Sequence, residues 1–294
     1  MPDLIFCPAS GIDAQRAKDY LMLANVACAG GSWMAAPALL GKRKILARSN
    51  RSPGKRPRSG AAIERAGSMA AAEEEDVRQA IIGACLAMNH SGINQGTAGN
   101  ISVRWNNGLL ITPSGLTYEE MAIGDIVFMN LDGSYEHRLA ASSEWRFHRD
   151  ILQARGDVNA VVHAHPIHAT AFAICGKEIP AVHYMIAAAG GPTIRCAPYA
   201  PYGTEELSNA VLGALSGRMC ALLGNHGMVA TGPDLREAMW LAIEVETLCK
   251  QYAVALQVGT PRVLEPDEIE RTIEKFKEYG PRRKPRAAQV LTRS

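Results

Sequence analysis

Two histidines one residue apart, in Val161-Val162-His163-Ala164-His165-Pro166, are the residues of this chain best placed for metal chemistry. The apolar run Ala160 to Val162 predicts a buried strand. Successive side chains of a strand point to opposite faces, so His163 and His165 project from the same one, two rises of about 3.3 Å apart. Pro166 has no N–H to give a ladder and ends the strand as the imidazoles emerge. Catalytic zinc takes three protein ligands and keeps a position open, so a third must come from elsewhere. The candidate is His226, in Leu222-Leu223-Gly224-Asn225-His226-Gly227-Met228-Val229, a polar tip between two apolar runs. Its flanking glycines let the backbone turn and aim a side chain at a neighbouring strand. A lone histidine among apolar residues is ordinarily a hydrogen-bonded core residue, whereas two adjacent buried imidazoles each need a separate partner.

Three stretches of small residues lie before this strand: Gly96-Thr97-Ala98-Gly99-Asn100, Thr112-Pro113-Ser114-Gly115 and Ala141-Ser142-Ser143-Glu144. Each ends a strand or opens a helix, where exposed N–H groups and hydroxyls suit an oxyanion, phosphate above all. Alone, each is an ordinary turn. Glu144 follows the two serines at a helix start, where a carboxylate is a natural partner of the helix dipole. Beside a dication it has a second use: it ligates the ion at rest and becomes a base once substrate displaces it.

The elements that must position these residues follow from periodicity. Glu73 to Asp76 are acidic, as a helix start favours, and Val77, Ile81, Cys85 and Met88 recur every three or four residues until Gly92. Ile101 to Trp105, Asn106-Asn107-Gly108 and Leu109 to Thr112 predict strand, turn and strand; Ile126 to Leu131, Asp132-Gly133 and Ser134 to Arg138 repeat the pattern. Helices are expected over Glu144 to Ala154, Ile167 to Cys175, Glu205 to Leu215, Asp234 to Ala255 and Glu268 to Tyr279, with Gly280 as a stop. Hairpins first and helices interleaved later imply an α/β domain with a mainly antiparallel central sheet and helices on both faces.

At 294 residues the chain can bury a large core, and no stretch approaches a membrane span. Its seven cysteines include no Cys-x-x-Cys pair and mostly sit in apolar runs, as expected of reduced residues in a cytoplasmic protein. The net charge of +2 hides an asymmetry: residues 1–68 carry 11 Lys plus Arg against 4 Asp plus Glu, and the rest 20 against 25. With its Pro, Gly, Ser and like charges, the segment 1–68 is expected to be a disordered extension ahead of a folded domain at 69–280, with a flexible basic tail at 281–294. Its charges are not interleaved with stacking aromatics, which argues against nucleic-acid binding.

Gly99-Asn100-Ile101-Ser102-Val103-Arg104, Thr112-Pro113-Ser114-Gly115, Ser142-Ser143-Glu144-Trp145-Arg146-Phe147-His148, Val162-His163-Ala164-His165, His183-Tyr184-Met185-Ile186-Ala187-Ala188-Ala189-Gly190-Gly191 and Asn225-His226-Gly227 occur in order between Glu74 and Tyr279. Together they resemble the class II aldolase/adducin family, and most closely its members that cleave L-fuculose 1-phosphate. The resemblance implies a single-domain α/β fold and a homotetramer with active sites between subunits. It implies one zinc per subunit on His163, His165 and His226, with Glu144 as resting ligand and catalytic base. Asn100, Ser114, Gly115, Ser142 and Ser143 would hold the substrate phosphate. Tyr184 would donate a proton at the aldehyde oxygen of a neighbouring subunit's site, and Tyr279 would close over the site.

Three departures concern the sugar rather than the metal: Asn225 stands where a histidine is often found, Ser114 where threonine is common, and Ala140-Ala141 where a proline usually precedes the serines. The implied activity is reversible cleavage of a ketose 1-phosphate to dihydroxyacetone phosphate and an aldehyde through an enediolate. An aldolase for 5-deoxyribulose or 5-methylthioribulose 1-phosphate would use the same residues. A sugar-phosphate 4-epimerase resembles the chain less, having aspartate at the position of Glu144, and a non-enzymatic adducin-like module would have lost the metal ligands.

Overall fold

Alternation along one central strand decides which side of the molecule carries the chemistry. The computed structural model describes residues 59–277. Its elements in chain order are α1 (Ser59–Ser91), β1 (Asn100–Trp105), β2 (Gly108–Ile111), β3 (Val127–Asn130), α2 (Trp145–Ala154), β4 (Ala160–Ala164) and α3 (Ile167–Ile174). There follow β5 (Cys196–Ala197), α4 (Glu205–Ala214), β6 (Cys220–Leu223), β7 (Gly227–Gly232), α5 (Leu235–Val258) and α6 (Pro266–Lys277). Short 3-10 segments lie at Ile123–Asp125 and Tyr184–Ala189. One seven-stranded sheet has the order β3-β2-β1-β4-β7-β6-β5. Every pairing is antiparallel except that of β5 with β6. The mainly antiparallel sheet with helices on both faces is therefore found as expected.

In β4, Ala160, Val162 and Ala164 enter a core built with α1, α3 and α5, while Val161 enters a second core built with α2 and α4. His163 shares the parity of Val161 and so faces α2. In β1, Ile101 belongs to the first core, which leaves Asn100 and Ser102 on the α2 side. The register sets Asn100 opposite His163 and Ser102 opposite Val161. Helix α2 lies over this face because Phe147 and Ile151, four residues apart, are both buried against it. Each such side chain contributes about 1.5–3 kcal/mol by leaving water. Two of the helices are capped by side chains: Thr204 Oγ1 accepts from Leu207 N at 3.2 Å and Asp234 Oδ1 from Glu237 N at 2.8 Å.

Three features differ from the sequence reading. Ser134 to Arg138 forms no strand. Asp132 Oδ1 accepts from both Ser134 N and Ser134 Oγ, and His137 Nε2 pairs with Gly124 O, so local side chains take the bonds a ladder would have used. Helix α1 begins at Ser59, well ahead of the acidic run at Glu73. The two-residue parallel strand β5 was not legible, being too short for any period to show. The expectations for residues 1–58, for Tyr279 and Gly280, and for the tail 281–294 lie outside the described residues.

Candidate metal and proton-transfer site

His163, His165 and His226 converge, one ring nitrogen of each lying within 4.8 Å of the others. The strand supplies the first two, as its parity requires, with His163 Nε2 2.9 Å from His165 Nε2. The turn between β6 and β7 supplies the third. Asn225 takes a left-handed conformation at φ 53°, a backbone state that asparagine tolerates better than most residues, and its N–H donates to Ala173 O at 3.1 Å. Gly227 then lets β7 close on β4: a Cβ there would stand 2.6 Å from both Ala164 O and His165 Cδ2. His163 Nδ1 donates to Met228 O at 2.9 Å, which turns its Nε2 lone pair toward the cluster.

Glu144 is the N-cap of α2 and is 4 % exposed. Its Oε2 lies 3.1 Å from His163 Nε2 and accepts from Asn100 Nδ2 at 3.0 Å. Its Oε1 lies 3.2 Å from His226 Nε2 yet has no hydrogen-bond donor. Burial would raise this carboxyl, but His163, His226 and the Asn100 amide outweigh burial and hold it below the usual carboxylate range. Burial, with the neighbouring imidazoles adding to it, pushes His165 down to about 3 and His226 down to about 4, so both rings are neutral. Neutral imidazole nitrogens facing a carboxylate oxygen that lacks a donor form a set that a divalent cation completes.

The small-residue stretches are joined to this cluster by backbone bonds. Ser114 N donates to Ala140 O and Ser142 N to Thr112 O, both at 2.9 Å, so the Ser114 and Ser142 segments run side by side. Ser142 is buried beside Glu144, and its Oγ accepts from Glu144 N at 3.3 Å; Ser143, Ser114 and Gly115, the last at φ 72°, are exposed. Asn100 is shared, being bonded directly to Glu144. Tyr184 opens the second 3-10 segment, is 52 % exposed, and sets its ring at a tilt against His183, with 4.7 Å between centroids. A groove of about 1030 Å³ along α3 and α5, lined by Ile167, Ile243, Glu246 and Val254, holds none of these residues and is not the site.

Two residues without an assigned role sit behind the cluster. His148 and Ser102 are both 0 % exposed, with Ser102 Oγ 2.8 Å from His148 Nδ1 and His148 Nε2 2.5 Å from Asn100 Oδ1. Their signal was spacing: His148 is one helical turn after Glu144, and Ser102 is two strand residues after Asn100.

The fold and this donor set define a class of protein, and comparison with known proteins places the chain in it. Residues 79–253 match the family described as Class II Aldolase and Adducin N-terminal domain, and the chain belongs to that family. It is 50% identical over 209 residues to an L-fuculose phosphate aldolase of Escherichia coli, covering 71% of this chain and 97% of that one. It is also 50% identical over 204 residues to a 5-methylthioribulose-1-phosphate/5-deoxyribulose-1-phosphate aldolase of Rhodospirillum rubrum, covering 69% of this chain and 92% of that one. A solved L-fuculose 1-phosphate aldolase superposes with a TM-score of 0.67 at 40% identity, over 69% of this chain and 96% of its own. The chain is thus a class II aldolase, a carbon–carbon lyase.

Proposed function

We propose that the chain cleaves a ketose 1-phosphate of the L-fuculose type, reversibly, to dihydroxyacetone phosphate and an aldehyde, using one zinc ion per subunit. The observation that carries this is the buried Glu144 carboxylate, one oxygen without a donor, set against three converging imidazoles. His163, His165 and His226 would hold the zinc, with Glu144 as a further ligand at rest. When bound, zinc supplies Lewis acidity toward the substrate's hydroxyl and carbonyl oxygens, a contribution of several kcal/mol.

In the cleavage direction the bond between the third and fourth carbons breaks, its electrons pass to the carbonyl to give an enediolate, and the aldehyde leaves. Glu144, having taken up a proton from solvent, delivers it to the third carbon; in the synthetic direction its carboxylate removes that proton. Asn100, Ser114, Gly115, Ser142 and Ser143 hold the phosphate, so that the reacting carbon lies beside Glu144. Tyr184 exchanges a proton with the aldehyde oxygen from a neighbouring subunit of a homotetramer, and Tyr279 closes over the site. The exposure of Tyr184, together with that of Ile167 at 75 %, Trp240 at 48 % and Val258 at 85 %, supports assembly. Among the described residues no helix is long and apolar enough to cross a membrane, which fits a cytoplasmic enzyme acting on a small molecule.

A second reading, cleavage of 5-methylthioribulose or 5-deoxyribulose 1-phosphate, is favoured by the equal 50% identity to a relative with that name. A coupled assay across ketose 1-phosphates decides: the fuculose reading requires the highest kcat/KM on L-fuculose 1-phosphate, and fails if a 5-deoxypentulose phosphate outruns it.

A further inference from the structure

His148 is buried on the α2 face of the sheet, and both of its ring nitrogens are engaged. The proton positions along this chain of groups follow from one end. Ionised Glu144 can only accept, so Asn100 must present its NH₂ to Oε2 at 3.0 Å and its carbonyl oxygen to the far side. That oxygen can only accept, so the His148 nitrogen 2.5 Å away, Nε2, must carry the ring proton. Nδ1 is then a bare lone pair, and Ser102 must donate its hydroxyl proton to it at 2.8 Å. A second ring proton would have no acceptor other than Ser102, and full burial independently pushes the imidazolium form down, to a pKa of about 3.

We infer that His148 is a positioning residue: its Nε2–H, fixed by Ser102 on the other nitrogen, locks the Asn100 amide with its NH₂ on Glu144 Oε2 and so aims the carboxylate. Without that donor the Asn100 side chain is free to rotate, and its oxygen in place of its NH₂ would face the Glu144 oxygen and repel it. The residue acts through Asn100 and touches no substrate. The inference rests on the reading of Glu144 as the base, and its test separates the two.

Nitrogen-15 NMR of the full chain labelled at histidine, with His148 assigned by its loss in His148→Gln, should show the proton on Nε2 and none on Nδ1. A proton on Nδ1 overturns the inference whatever the enzyme does. In the exchange of dihydroxyacetone phosphate hydrogen with solvent deuterium, His148→Phe should lose about 10–100-fold in maximal rate, as changes to such orienting partners do, with a smaller loss of apparent affinity, since four of the five phosphate-holding residues are untouched. His148→Gln, whose amide can still donate to Asn100 Oδ1, should recover to within about threefold of wild type. Equal loss in both variants, or a loss confined to affinity, overturns the inference. Should His148→Phe not fold, the tautomer and His148→Gln still decide. Wild-type protein that exchanges nothing would instead defeat the reading of Glu144 as the base and leave the tautomer result to judge His148.

Discussion

Glu144 Oε2 stands 3.1 Å from His163 Nε2, a helix N-cap meeting the central strand of the sheet. The two come from different elements and are joined through Asn100, which pairs with His163 in the ladder and donates to Glu144. If this junction is a metal site, His163→Ala should remove the ion nearly completely while the chain stays folded. Elemental analysis after dialysis measures it, and full zinc occupancy in the variant would sink the ligand assignment.

The backbone around the third imidazole is equally constrained. Gly227→Ala puts a Cβ 2.6 Å from Ala164 O, a backbone atom that cannot move alone, and should cost about 1–3 kcal/mol of stability together with zinc affinity. Gly83→Ala, in α1 with nothing within 4 Å of the new Cβ, should instead stabilise by about 0.5–1 kcal/mol. Urea denaturation of both variants checks the contrast; equal effects would mean that the close approach of β7 to β4 is not a constraint.

Acid should destabilise the metal-free protein in a defined window. His148, His165 and His226 have folded-state values pushed down to about 3, about 3 and about 4. The unfolded chain therefore binds more protons than the folded one below the ordinary histidine value of about 6.5, and stability falls with pH there. Each such group contributes up to about 1.4 kcal/mol per pH unit until its folded value is reached. Denaturation midpoints between about pH 7 and about pH 5 test this, above the range where ordinary carboxylates titrate. A flat profile would contradict the burial of neutral imidazoles.

The phosphate assignment predicts selectivity rather than simple loss. Donors aimed at a dianion make bonds roughly twice as strong as neutral ones and lie unpaired when it is absent. The unphosphorylated ketose should fall by at least about 4 kcal/mol, or roughly a thousandfold, in kcat/KM. Ser142→Ala and Ser143→Ala should each weaken the phosphorylated substrate and barely change the free sugar. Equal damage to both substrates would make these stretches plain turns.

What the sequence made legible was the part written in short periods. The alternation through His163 and His165 put both imidazoles on one face, and the glycines around His226 marked a turn, so three remote residues could be brought together on paper. The antiparallel order followed from the Asn106-Asn107-Gly108 hairpin and the lack of helices between early strands. Hidden was whatever depends on pairing across the fold. Ser102 and His148 read as ordinary strand and helix residues until the register of β1 on β4 and the placement of α2 set them against Asn100. Ser134 to Arg138 has strand-like spacing, but Asp132 and Asn130 bind Ser134 locally, and these bonds win over a ladder along the open edge of β3.

The central claim is that Glu144 moves a proton at carbon, and solvent-deuterium exchange into dihydroxyacetone phosphate without any aldehyde tests it most directly. Wild-type protein should exchange the hydrogen stereospecifically. Glu144→Gln, which keeps the shape of the side chain and its place at the start of α2, should fold alike and exchange at least about a hundredfold more slowly. An unchanged rate in the folded variant would contradict the account and move the base elsewhere, with Tyr184 the next residue to test.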